Sequence, residues 1–545
     1  MTLILHPSYC FDDVLLRPKY SQIGSRSEIN LETDIGSAHR SLKLKIPLIS
    51  SPMDTVTDEK MAIKLALAGG LGIIHRYMSI NDQVAQVANV KRYVNYIFRV
   101  PHIINSTTTV YDARCMQELH GIKTLCVVDT NPNDYRETIC LGIITARDLA
   151  GKESDIPIRA IMTPYSRLHK LFVDTDQISE LANGPGNTVF TYIMTHARDM
   201  MNKYAVEKVP IFQVLNNCET QILYGLVTQR SVQHYFDNQS MSCLDTTGRL
   251  CVGAAVGIRP GYLEHVSALV NAGVDLVCVD VANGHNMHTI DAVCQIRCQH
   301  PDLVIMAGNV CTLDGYKRLA AAGTDCIRIG IGNGSICTTR LETGNGFGQW
   351  SALKECADYI HVQQSAAHLQ QTASEHEYPL TNLPKLICDG GTLGKTGNKV
   401  KAIAIGASAI MMGRTLASCE ESPGQIITRN GKRMKYFRGM ASTMANLSKQ
   451  ETQQQQSQST NLTSTPAKKR AKLETEFTAE GVDGVVDLKG SVVDVIKQIV
   501  GGLKSGLSYQ GVNSVAELHA IYNTIEWVLS TTIGQSETGI RVNIF

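Results

Sequence analysis

No apolar run in these 545 residues approaches the roughly 20 needed to span a bilayer. The start, MTLILHPSYCFDD, is too short in its apolar part and too soon acidic for a secretory signal. Charge of one sign is missing too. Fifty-one Lys and Arg against 50 Asp and Glu leave a net charge of +1, which gives no electrostatic case for a nucleic-acid partner, a membrane surface or a strongly acidic partner. Aromatic residues are scarce at 6%, with 2 Trp. The 16 cysteines never stand in CxxC spacing, and most lie in apolar runs, as Cys278 and Cys326 do. Neither a zinc site nor a disulfide framework is indicated, and reduced, buried thiols are expected. An intracellular enzyme of two or three domains fits these limits, with the cytosol as default.

What is present is a series of short, β-branched apolar runs separated by helix-like stretches. They are KIPLISS, GGLGIIH, LCVGAAVG, DLVCVDVANG, DLVIMAGNV, TDCIRIGIG, KLICDGG and SAIMMGR. Most start about 22 to 27 residues after the previous one, the length of a βα unit, and eight such units close a barrel. The expected fold is α/β, a (β/α)8 TIM barrel, with an open doubly wound sheet as the rival. The interval Ile74–Leu250 is too long for one βα connection and predicts an inserted domain. Inside it LGIITARDL (Leu141–Leu149) and YGLVTQRSV (Tyr224–Val232) are two similar pieces, each preceded by an apolar strand, TLCVVD and KVPIFQV. The pair resembles a tandem cystathionine-β-synthase (CBS, or Bateman) module. That resemblance implies a cleft for regulatory purine nucleotides (GTP, GMP or ATP), touching Thr145, Asp148 and Thr228; Ser231 stands where the second copy's acidic ribose partner would be. The expected divisions are barrel at 1–93, insert at 94–243, barrel again at 244–446, a Gln/Ser/Thr-rich flap at 447–479 and the end of the barrel at 480–545. The flap carries PAKKRAKLE, read as a solvated basic patch in preference to a nuclear address.

Barrel enzymes work from loops at the carboxyl ends of their strands. SSPMD follows the first run, HRY the second, DVANG the fourth, GIGNGSICTTR the sixth, DGG the seventh and MGR the eighth. Glycines at 330, 332 and 334 let backbone groups approach an anion or a monovalent cation. Asp389-Gly390-Gly391 and Gly413-Arg414 fall where barrels hold phosphate, though each alone reads as an ordinary turn. Cys337 follows the Gly-rich loop and precedes two threonines and Arg340, a polar and partly cationic setting that favours thiolate.

Taken together, FDDVLLRP (Phe11–Pro18), LISSPMDTVT (Leu48–Thr57), GIGNGSICTT (Gly330–Thr339), DGG, RGM (Arg438–Met440) and EGVDGVV (Glu480–Val486) resemble the IMP dehydrogenase/GMP reductase family over nearly the whole chain. The resemblance implies Cys337 as a nucleophile on C2 of a purine monophosphate (GMP or IMP), with Thr339 and Glu480 as a proton relay. It places phosphate on Ser335, Gly390, Gly391, Gly413 and Arg414, and the ribose on Asp389. The purine falls to Ser51, Arg328, Gly439, Met440, Ala441 and Gly481. The nicotinamide half of NADPH would meet Asp280, Val281, Ala282, Asn283, Ile331 and Gly332. Its adenosine end would meet Ser25, Arg26, Arg76, Ser505, Gly506 and Ser508, partly from a neighbouring subunit of a homotetramer or octamer. A monovalent cation, K⁺, would sit on carbonyls of Gly332, Gly334, Cys337 and Arg340.

Three features favour the reductase branch, which serves purine salvage. No Arg-Tyr dipeptide, the dehydrogenase's water-activating pair, occurs between Met440 and Glu480. CTTRLETGNGFGQ (Cys337–Gln349) and DVANGH (Asp280–His285) both resemble reductase segments. IMP dehydrogenase is the alternative, and a non-catalytic purine sensor the second.

Overall fold

The structure, a computed structural model, describes residues 7–37, 39–93, 97, 102–120, 122–129, 139–174, 188–215, 218–238, 241–369, 383–445 and 478–530. The proposed flap at 447–479, except its last two residues, lies outside them, as do Arg470, the PAKKRAKLE patch and the chain's end.

Eight parallel strands close into a barrel: β1 (Leu48–Ser50), β2 (Leu71–Ile74), β3 (Val252–Val256), β4 (Leu276–Asp280), β5 (Val304–Val310), β6 (Cys326–Ile329), β7 (Lys385–Asp389) and β8 (Ala407–Met412). These are the eight apolar runs, and closure excludes the open sheet. Side chains alternate across a strand, so Leu276 and Cys278, Cys326, Ile387, and Ala409 and Met411 point inward into one apolar cluster with Ile49, Ile73 and Met306. Two residues beyond Cys278, Cys326 and Ile387 the same inward face carries Asp280, Arg328 and Asp389. The apolar floor therefore ends in a charged layer at the carboxyl mouth.

The opposite end is closed by buried charge. Asp325, fully buried, accepts from Arg40 Nε at 2.8 Å, Arg297 Nη2 at 2.6 Å and the Ile305 N–H at 2.8 Å. A small antiparallel sheet, Ile426–Arg429, Lys432–Arg438 and Asp483–Asp487, brackets the undescribed segment and brings RGM beside EGVDG.

The chain divides into two compact units, one of Met1–Lys91, Met241–Cys243 and Leu250–Phe545, the other of Arg92–Ser240 and Leu244–Arg249. The second repeats one element order, strand, helix, two strands, helix. The first copy runs Ile103–Asn105, Val110–His120, Thr124–Val128, Cys140–Thr145 and Ala146–Leu149; the second runs Leu171–Asp174, Thr188–Tyr204, Lys208–Leu215, Cys218–Thr228 and Gln229–Asn238. The two similar sequence pieces are the last strand and helix of each copy. No helix among the described residues is long and apolar enough to cross a membrane.

Candidate active site

A cavity of about 350 Å³ opens at the carboxyl mouth, lined from every strand but β3. Ser51, Pro52 and Met53 follow β1, Arg76 and Tyr77 follow β2, Val281 and Ala282 follow β4, and Gly413, Arg414 and Thr415 follow β8. The loop Gly330–Cys337 and the turn Asp389–Gly394 lie side by side, the Gly391 N–H donating to Asn333 O at 3.0 Å, and Gly439–Ala441, Glu480 and Gly481 complete the lining.

Backbone pairing builds the reactive corner. The Val482 N–H donates to Ile336 O at 3.0 Å, the Thr338 N–H to Glu480 O at 2.9 Å and the Gly439 N–H to Val482 O at 3.0 Å. Three segments distant in sequence thus lie side by side. Gly439 and Gly481 permit this, since a Cβ on Gly439 would come 3.2 Å from Gly481 Cα and from Ile336 O. Held there, half-buried Cys337 Sγ lies 3.1 Å from Thr339 Oγ1, which donates to Glu480 Oε2 at 2.8 Å. A thiol, a hydroxyl and a carboxylate in that order can pass a proton to or from a group bound at sulfur.

Behind this corner, Arg328 Nη1 donates to Asp280 Oδ1 at 2.5 Å and Nη2 to Asp389 Oδ2 at 2.8 Å. Burial works against charge on Asp280, but Arg328 and then Arg76 outweigh it and hold the carboxyl below its usual range. Arg328 is likewise opposed by burial, and its neighbours Cys278, Asp389 and Asp280 carry it well above the ordinary guanidinium value. Arg76 lies 3.7 Å from Asp280 and over the Tyr77 ring at 5.0 Å. His75 is nearly buried; its Nδ1 accepts the Tyr77 N–H at 3.1 Å, and burial lowers its pKa to about 4, so the ring is neutral.

Of the residues singled out from sequence, the cavity gathers Cys337, Thr339 and Glu480; Ser51, Arg328, Ser335, Asp389, Gly390, Gly391, Gly413, Arg414, Gly439, Met440, Ala441 and Gly481; and Arg76, Asp280, Val281, Ala282, Ile331, Gly332 and Gly334. Asn283 is turned to its own loop, accepting the His285 N–H at 3.0 Å. Arg340 lies behind the Gly-rich loop, packed against Gly332 and Gly346 and donating to Phe347 O. Ser25, Arg26, Ser505, Gly506 and Ser508 do not line the cavity. They meet near the helix Val492–Tyr509, where Lys504 Nζ donates to Ser27 O at 3.4 Å. Thr145 and Asp148, in the second unit, close a capping box on the helix Ala146–Leu149, while Thr228 Oγ1 pairs with Ser231 Oγ at 2.8 Å.

Two residues escaped the sequence reading. Asn309 lies near the end of β5, whose mouth, like that of β3, had no motif named; its Nδ2 donates to Gly330 O at 2.7 Å and Asp389 Oδ2 at 2.9 Å. Gln349, almost wholly buried, donates to Ile329 O at 2.7 Å and accepts from Asn333 Nδ2. The GNV that ends the fifth run was a usable signal for the first. Nothing local marks the second.

The sequence matches the IMP dehydrogenase / GMP reductase domain over residues 8–540. Among similar proteins, an inosine-5′-monophosphate dehydrogenase of Nitrosopumilus maritimus is 36% identical over 93% of each chain. A GMP reductase of Leishmania major is 34% identical over 93% of this chain and 92% of its own. Among solved structures, a GMP reductase of Trypanosoma brucei in complex with guanosine 5′-monophosphate superposes with a TM-score of 0.78, at 31% identity and 99% coverage of both chains. The same organism's enzyme in complex with guanosine 5′-triphosphate gives 0.68 at 28% identity, over 97% of this chain and 98% of its own.

Proposed function

Because the chain belongs to the IMP dehydrogenase/GMP reductase family, we propose that it is a GMP reductase, converting GMP to IMP and ammonia with NADPH. The observation that carries this reading is the Cys337–Thr339–Glu480 relay in a chain with no Arg-Tyr dipeptide at 441–480. A relay that delivers a proton suits an amine leaving group; activation of water needs a strong base, and among the described residues the corner adds none to the Glu480 carboxylate.

GMP enters with its phosphate toward Ser335, Gly391 and Gly413 and its ribose toward Asp389, which sets C2 against Cys337. The thiolate adds to C2, Thr339 and Glu480 protonate the exocyclic amine, and ammonia departs, leaving the purine bonded to sulfur. The small side chains Val281 and Ala282, on the cavity wall with Asp280 and Gly332, leave room for a flat ring, so the residues present fit a nicotinamide. NADPH bound there supplies hydride to C2. Cys337 then leaves and IMP is released. For a K⁺ ion the Gly-rich turn is apt: the Gly334 carbonyl accepts the Cys337 N–H at 3.1 Å and keeps a second lone pair for a cation. The second unit, with its duplicated halves, is read as a tandem CBS domain through which GTP, GMP or ATP regulates a homotetramer or octamer. The GTP complex of the Trypanosoma brucei enzyme supports that reading.

The 36% identity to a dehydrogenase favours one rival, oxidation of IMP with NAD⁺. Two parallel assays separate them, GMP with NADPH and IMP with NAD⁺, each followed by absorbance of the reduced cofactor. Turnover in the first alone is expected. Turnover only in the second establishes the dehydrogenase, and nucleotide binding without turnover in either supports the sensor.

A further inference from the structure

Three neighbouring strands place a charge bridge in register across the mouth of the barrel. Asp280 at the end of β4 is opposite Gly308 of β5, and Gly308 is opposite Arg328 of β6. A Cβ on Gly308 would come 2.7 Å from Arg328 Cβ, so the missing side chain lets the arginine lie across β5 and reach Asp280. The other edge of the same guanidinium belongs to Asp389, whose Oδ2 takes Nη2 at 2.8 Å, Nε at 3.2 Å and, as a third donor, Asn309 Nδ2 at 2.9 Å. With Oδ2 so occupied, Oδ1 is the oxygen that Asp389 presents to a ligand. The bridge is secluded: the Arg328 side chain is 8% exposed and each carboxylate 16%.

A buried arginine between two carboxylates is a costly way to gain stability, because desolvation offsets most of the attraction. What it does provide is a rigid part. The guanidinium is planar and pinned at both edges, so movement at one carboxylate is transmitted to the other. Resting on the reading that Asp389 holds the nucleotide ribose and that Asp280 opens the cofactor loop, we propose that Arg328 is a positioning residue that couples the two ligand sites. Nucleotide at Asp389 fixes the guanidinium, which holds Asp280–Ala282 in the shape that receives the dinucleotide. By linkage, the dinucleotide strengthens nucleotide binding by the same factor.

The test is calorimetric titration of the full-length protein with two ligand pairs that do not turn over, GMP with NADP⁺ and IMP with NADH. In the wild type, each partner of a bound pair tightens the other by about fivefold or more, equally in both directions. In Arg328→Lys, and separately in Asp280→Asn, that factor falls below about twofold for both partners. A role confined to stability lowers the melting temperature and weakens each ligand alone without changing the factor; that result, or a wild-type factor of one, overturns the proposal. Coupling read on either pair is independent of which nucleotide turns over, so a dehydrogenase outcome in the activity assays leaves it standing. Binding of neither nucleotide would remove both readings.

Discussion

Cys337 is set apart from the other cysteines by its surroundings. Cys278 and Cys388 are fully buried with pKa values pushed up to about 12 by desolvation, which makes them inert, whereas Cys337 is half-exposed beside a hydroxyl. Cys337→Ala is expected to abolish turnover while GMP binds within a few-fold of wild type, and mass spectrometry of quenched wild-type enzyme should show a purine adduct on this residue. Steady turnover with no adduct would end its assignment as nucleophile. Thr339→Val and Glu480→Gln should each lower kcat by roughly 10²–10⁴. Because both serve one relay, the double variant should be little worse than the single ones, and additive losses would separate them. The nucleophile was legible because a Gly-rich turn at a strand mouth leaves a distinctive local pattern. Arg328 was legible only as a residue near the purine, since its bond to Asp280 depends on the empty place at Gly308, a register between strands that no single stretch of sequence displays.

Among the elements, the eight strands were legible because each is a short continuous apolar run, as burial on both faces requires, and most recur at the length of a βα unit. Pairings between distant segments leave no such trace. Val14–Leu16 forms an antiparallel ribbon with Trp527–Leu529, and Gln349 reaches back from the start of its helix to the loops after β6 and β7. Gln349 acts as the pin between those loops. Gly391 and Gly330 both lie against it, and a Cβ on Gly330, whose φ is +139°, would fall 2.3 Å from Asp389 O. Gln349→Ala should remove the side-chain donor to the Ile329 carbonyl and the acceptor for Asn333, cost about 1–3 kcal/mol of stability and raise the KM for nucleotide. Thermal melting and initial rates check the two effects separately, and an unchanged KM would show that the loops hold their shape without the pin. Gly330→Ala should be worse, since neither wall can retreat.

For the molecule as a whole, acid sensitivity follows from histidines held neutral by burial. His75 is buried and His519 partly buried, and both are neutral, each with a pKa lowered by desolvation to about 4. An unfolded histidine binds its proton near pH 6.5, so as pH falls the unfolded state protonates first. The stability associated with neutral burial is therefore complete above about 6.5 and is lost as pH falls toward 4, by on the order of 1–3 kcal/mol per histidine. Melting temperatures across that range should drop, and His519→Gln should flatten the slope.

Modularity rests on Asp275, which accepts Lys91 Nζ at 2.6 and 2.7 Å and the Val252 N–H at 2.7 Å. The last residue before the insert and the first residue of β3 are thus clamped to one carboxylate, and Lys91 is 3% exposed. Ends held this close can be joined by a short linker without opening the barrel. Replacing residues 94–240 with a Gly/Ser linker, which keeps Met241–Cys243 in the barrel, should give a folded barrel with kcat within a few-fold of wild type that no longer responds to added GTP or ATP. A folded barrel without turnover would mean that the insert supplies part of the working site. Retained nucleotide response would move regulation into the barrel.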